Sequence, residues 1–187
     1  MEQIVIVDEE DNYIGEEDKE KCHDGDGILH RGFLAMVFNR RGELFLTRRS
    51  ARKRLWPGFW DGTVASHVRT GEDYEQASKR RLKQEIGLAT DQVRYLFKFC
   101  YRAGYKGVGA EHEICAVTAV TGIDGGSIIP DGDEISEVRT ISPARLIRET
   151  RDKRGAYTPW LAIAVERMAE QGLLRATDDR FVLSGES

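Results

Sequence analysis

The segment from Trp60 to Leu88 constrains this chain most, because it reads as a strand, a tight turn and a helix in immediate succession. WDGTVASHV (Trp60–Val68) has a strand composition, RTGED (Arg69–Asp73) holds a turn glycine, and DYEQASKRRLKQEIGL (Asp73–Leu88) is helical in pattern up to Gly87. On that helix Ala77, Arg81 and Glu85 recur at i, i+4 and i+8, so they share a face. A guanidinium and a carboxylate one turn apart, just after a glycine turn, can hold a phosphate through a bridging metal. The same spacing also describes an ordinary solvated surface pair.

The rest of the chain alternates strands with helices. Ile4–Gly15 reads as a hairpin, and Glu17–Asp26 as a polar stretch with a short helix. Gly32–Asn39 and Glu43–Ser50 flank a turn at Arg40-Arg41-Gly42, and Ala51–Trp60 is a basic loop broken at Pro57-Gly58. Gln92–Ala103 and Glu111–Gly122 are strands around the glycine-rich Ala103–Ala110, and Gly122–Glu134 is a loop before a strand at Glu134–Ser142. Ser142-Pro143 and Thr158-Pro159 open two further helices, the second with an apolar stripe at Leu161, Ala164, Val165 and Met168. The polar stretch from about Thr177 reads as a loose tail. The pattern predicts an α+β (mixed α/β) fold, a single domain over residues 1–187 with a mixed sheet between helices.

Composition narrows the function. A length of 187 residues with 40% apolar and 32% charged residues suits one soluble domain with a real core. A formal charge of −4 argues against a nucleic-acid partner bound through bulk charge, yet leaves room for a local basic pocket. No apolar run approaches the roughly 20 residues of a membrane span, and the N-terminus lacks the pattern of a signal peptide. Three cysteines, Cys22, Cys100 and Cys115, without a CxxC pair, predict free thiols and a cytoplasmic location. The oligomeric expectation is a monomer or a small homo-oligomer.

Taken together, LHRGFLAMVFNRRGELFLTRRS, WPGFWDGTVASH, SKRRLKQEIGL, the EHEIC strand and TPW resemble the type I isopentenyl diphosphate isomerases, a branch of the Nudix superfamily. The general Nudix box, G-x5-E-x7-R-E-U-x-E-E-x-G-U with U aliphatic, falls here on Ser66, Glu72, Arg80, Arg81, Leu82, Gln84, Glu85, Gly87 and Leu88. Two of the box glutamates are thus Arg81 and Gln84. Nudix hydrolases use such carboxylates to collect Mg²⁺ around a diphosphate, so their loss argues against ordinary hydrolysis.

The resemblance implies a set of roles. His23, His30, His67, Glu111 and Glu113 would ligate one Mn²⁺ or Zn²⁺, a donor set of imidazoles and carboxylates that suits such ions. Glu111 and Glu113 lie two apart on a predicted strand and so point to one face. Lys19, Arg49, Lys53 and Arg81 would bind the diphosphate, and Glu85 a Mg²⁺ riding on it. Glu113 and Tyr101 would handle the proton on one side of the substrate, with Trp160 facing a carbocation. The family's catalytic cysteine, in a motif T-N-S-V-C-G-H-P, falls on Ala65 within Asp61-Gly62-Thr63-Val64-Ala65-Ser66-His67-Val68. A methyl group moves no proton. Three functions stay open: an isomerase-like enzyme acting on a small isoprenoid diphosphate, a hydrolase of a prenyl or nucleoside diphosphate, and a non-catalytic diphosphate binder.

Overall fold

A single strand, His30–Asn39, organises the molecule, and it is apolar along nearly its whole length because both its faces are covered. The computed structural model describes residues 2–175 together with Arg180 and Phe181. Along the chain come β1 (Gln3–Val7), β2 (Tyr13–Asp18), α1 (Lys19–Cys22), β3 (His30–Asn39), β4 (Leu44–Arg49), β5 (Trp60–Asp61) and β6 (Val64–His67). Then follow α2 (Tyr74–Ile86), β7 (Arg94–Tyr105), β8 (Gly109–Ile123), β9 (Ile135–Ile141), α3 (Pro143–Asp152) and α4 (Pro159–Glu170).

Strand β3 runs parallel to β8 and antiparallel to β6 and β1, while β4 carries β5 and β9. The sheet is therefore mixed, as the sequence predicts. Alternation along β3 splits the interior in two. Phe33, Ala35 and Val37 face a cluster with Leu82 and Ile86 of α2. Leu34, Met36 and Phe38 face a second cluster with Leu146 of α3 and the full predicted stripe of α4, Leu161, Ala164, Val165 and Met168.

Two local expectations need correction. The run Trp60–Val68 is two strands, not one: β5 pairs with β4 and β6 with β3. The break falls where β3 and β4 splay apart, since only Phe38 and Leu44 pair between them. Thr63 fills the gap by accepting the Val37 N–H at 2.9 Å and donating to the Phe45 carbonyl at 2.7 Å. The strands expected to stop at Ala103 and resume at Glu111 reach further, since β7 runs on to Tyr105 and β8 starts at Gly109, joined by a tight turn. Within the predicted loose tail, Phe181 is buried and stacks on Phe38 with ring centroids 4.0 Å apart; residues 176–179 and 182–187 lie outside the described residues.

Helix α2 is bounded as its sequence dictates. Asp73 and Gln76 form a reciprocal capping box, and Gly87 ends the helix at φ +70°, a conformation that favours glycine. Replacing Asp73 with Ala is expected to lower stability by about 1 kcal/mol, read as a reduced urea midpoint with an unchanged denaturant slope.

Candidate active site

One face of the sheet carries the chemistry. His30 and Glu113 pair across β3 and β8, Gly32 and His67 across β3 and β6, and Tyr101 and Glu113 across β7 and β8. Strand register alone thus brings His30, His67, Glu113 and Tyr101 side by side, with Glu111 two residues away on the same face. The face continues into the apolar cluster that holds Leu34 and α4. Gly32 makes room: a Cβ there would overlap the Glu113 carboxylate, which leans across β3.

His23 reaches this face from α1. Asp18 caps the helix by accepting the Glu20 and Lys21 N–H groups. The His23 carbonyl then accepts the Ala110 N–H at 3.0 Å, and Gly109 leaves space for that approach. Arg54 ties the same corner together, donating to the Glu20 and Val108 carbonyls at 3.0 and 3.1 Å and to the Asp24 carboxylate at 2.5 Å.

The three imidazoles lie with ring centroids 4.9 to 5.0 Å apart. Ligand atoms of His23, His30, His67 and Glu111 all fall within 4.8 Å of one another, and all four residues are buried. Glu113 Oε1 stands 3.4 Å from Nε2 of both His30 and His67. Nδ1 of His23 donates to the Lys19 carbonyl at 2.5 Å and Nδ1 of His30 to the Ile28 carbonyl at 2.7 Å, which turns both Nε2 atoms inward. Burial opposes charge on His23, but the neighbouring Glu111 prevails and raises its pKa. Burial depresses His67, helped by the other two imidazoles. Burial also opposes ionisation of Glu111 and Glu113, yet the surrounding histidines hold both carboxylates below their ordinary range.

The donor set fits a divalent cation. Nε2 of His30 and Oε2 of Glu111 are fully buried and make no hydrogen bond, although Glu111 Oε2 lies 2.9 Å from His23 Nε2. Converging lone pairs from imidazoles and carboxylates are satisfied by an ion among them.

Beside this cluster, the Tyr101 hydroxyl donates to Glu113 Oε2 at 2.7 Å. Burial and the Glu113 charge push the phenol well above its usual pKa, so it stays protonated. Trp160 stands 6.2 Å from Tyr101 between ring centroids, and its Nε1 donates to Asp61 at 2.7 Å. A cavity of about 360 Å³ joins these groups to Lys19, Arg49, Lys53 and Arg81. Ala65 lines it and brings no ionisable group at that position, while His67 lines it two residues further along the same strand. Thr63 cannot substitute, because its hydroxyl is committed to backbone.

At the cationic end each of the four expected diphosphate-binding cations has a carboxylate partner. Lys19 pairs with Glu2 at 3.3 Å and Arg49 with Asp61 at 3.1 Å. Lys53 pairs with Glu134, and Arg81 with both Glu85, at 2.5 Å, and Glu134, at 3.2 Å. The Arg81–Glu85 pair is not a solvated one, its side chains being only 11% and 5% exposed. Glu85 lies in this charged knot and not among the histidines. Arg49 is largely spent on structure, since it also donates to the Leu55 and Trp56 carbonyls and lies 5.1 Å over the Trp160 ring. Sequence reasoning missed Asp61 and Glu134. Asp61 accepts from Trp160, Thr158, Arg49 and its neighbour Gly62 while fully buried, and only the register of distant segments shows it.

Comparison with known proteins bears on the fold and the family. The chain matches the NUDIX domain family over residues 28–161. It is 34% identical to the isopentenyl-diphosphate Delta-isomerase of Haloarcula marismortui over 175 residues, 91% of this chain and 92% of that one. The Klebsiella pneumoniae isopentenyl-diphosphate Delta-isomerase is 32% identical over 174 residues, 92% and 94% of the two chains. Among solved structures, DR0079 from Deinococcus radiodurans superposes with a TM-score of 0.71 at 25% identity, covering 89% of this chain and 98% of that one. Among the described residues no helix is long and apolar enough to cross a membrane. Fold, ligand cluster and sequence relatives converge, and the chain belongs to the Nudix family as an isopentenyl-diphosphate-isomerase-like member.

Proposed function

We propose that this protein binds a small isoprenoid diphosphate, such as isopentenyl diphosphate, and shifts its double bond through a proton exchange made on one side only by protein groups. The observation that carries the reading is the buried Tyr101–Glu113 hydrogen bond of 2.7 Å, set between the histidine cluster and the Trp160 ring. A phenol kept protonated and a carboxylate kept ionised form a pair that can give and take one proton at a carbon. Trp160, fixed by its bond to Asp61, offers an indole to positive charge developing on the hydrocarbon. Lys53 and Arg81 face the cavity end that would take the diphosphate.

His23, His30, His67, Glu111 and Glu113 would hold a Mn²⁺ or Zn²⁺ ion, and Glu85 a Mg²⁺ accompanying the diphosphate. Such ions supply fixed positive charge beside Glu113 and beside the phosphate oxygens. On the opposite wall Ala65 supplies no proton donor, so water in the space beside its methyl group serves as the second partner. Hydrolysis is the weaker reading, because box positions that would carry carboxylates hold Arg81 and the solvent-facing Gln84. The free thiols and the paired cavity cations accord with a cytoplasmic enzyme of small molecules, without a nucleic-acid partner, acting as a monomer or small homo-oligomer.

Two measurements bear on this. Incubated with isopentenyl diphosphate, the protein is expected to form dimethylallyl diphosphate slowly without releasing phosphate, and Ala65→Cys to raise that rate by about 10²-fold or more. Phosphate release, or no gain from the cysteine, would refute the reading. Gly32→Ala is expected to expel the Glu113 carboxylate and lower retained transition metal, measured by elemental analysis, with the far-UV circular dichroism unchanged.

A further inference from the structure

The cavity's cations meet resident carboxylates at every position, yet those carboxylates differ in how firmly they are held. Asp61 is locked by four donors, and Glu85 lies beneath Arg81 with its side chain 5% exposed. Glu134 differs. It sits at the end of the loop before β9, its side chain is 28% exposed, and it lines the cavity. One of its carboxylate oxygens meets the Lys53 ammonium and the other stands 3.2 Å from Arg81. A single two-oxygen anion therefore bridges the two cations, as a phosphate group would.

We infer that Glu134 is a resident anion occupying the phosphate-binding position made by Lys53 and Arg81, and that it admits only ligands charged strongly enough to displace it. The inference rests on the reading that this cavity takes a diphosphate, and it names the residue that sets the charge selectivity there. Two cations stand against two carboxylates in the knot of Lys53, Arg81, Glu85 and Glu134, so the position is electrically balanced before a ligand arrives. A singly or doubly charged monophosphate gains little by exchanging with a carboxylate that already makes the same contacts. A diphosphate carries more charge and more acceptor oxygens, and its exchange is favourable. The motion needed is small. Backbone bonds from Glu134 N–H to the Asp131 carbonyl, at 3.1 Å, and from Ser50 N–H to the Glu134 carbonyl, at 2.9 Å, fix the chain while the side chain turns about its own bonds toward solvent.

The test is calorimetric binding of inorganic pyrophosphate and of orthophosphate to the full chain in excess Mg²⁺ at constant ionic strength. Glu134→Gln is expected to tighten pyrophosphate binding roughly tenfold, equivalent to about 1.4 kcal/mol, and to make orthophosphate a measurable ligand. Asp133→Asn removes a neighbouring negative charge that pairs with the exposed Arg52 and touches neither Lys53 nor Arg81; its effect is expected to stay below about twofold. Glu134→Asp, which keeps the charge but shortens its reach, should give an intermediate tightening and serves if the glutamine variant folds poorly. Equal or weaker pyrophosphate binding by Glu134→Gln overturns the inference, as does an equal gain from Asp133→Asn. Failure of both wild type and Glu134→Gln to bind pyrophosphate removes the diphosphate reading itself, and the inference with it.

Discussion

Two carboxylates buried next to each other need converging polar partners, and the register of the strands around β3 and β8 supplies them. Glu111 and Glu113 are both within the protein interior, on the same face of one strand. An isolated ionised carboxylate moved into such surroundings would cost several kcal/mol. Three imidazoles from separate segments surround them, and two of these have their orientation set by backbone carbonyls. The parallel pairing of β3 with β8, the short strand β6 and the missing side chain at Gly32 all serve to bring those groups within reach.

The secondary structure was largely legible from residue patterns, since turn glycines, helix-opening prolines and apolar stripes act locally. Trp60–Val68 misled because its composition suits a strand throughout, while the partners that divide it, β4 and β3, are set by distant sequence. Charge pairing was harder to read. Lys19, Arg49, Lys53 and Arg81 are visible as cations, but nothing nearby in sequence announces that Glu2, Asp61 and Glu134 lie opposite them. The convergence of His23 with Glu111 is likewise non-local; motif frame pointed to it, and strand register with a single carbonyl bond produces it.

The departures around Ala65 form a local set. Asp61 gathers Trp160, Thr158 and Arg49 into one buried network, and Gly62 fits closely against Leu34, where a Cβ would collide with that side chain. Within this segment Asp61 and Thr63 are turned toward structure, whereas Ser66 and His67 line the cavity with Ala65. Elsewhere on the same sheet face Tyr101 and Glu113 form an ionisable pair.

The matched family domain begins at residue 28, whereas His23 and the carbonyl that orients it, Lys19, come earlier. Four of the five converging groups therefore fall within the matched span, and the fifth, His23, lies just before it at the end of α1. A piece trimmed to the family boundary would keep the pairing of β3 with β6 and β8 but lose the imidazole that stands 2.9 Å from Glu111 Oε2.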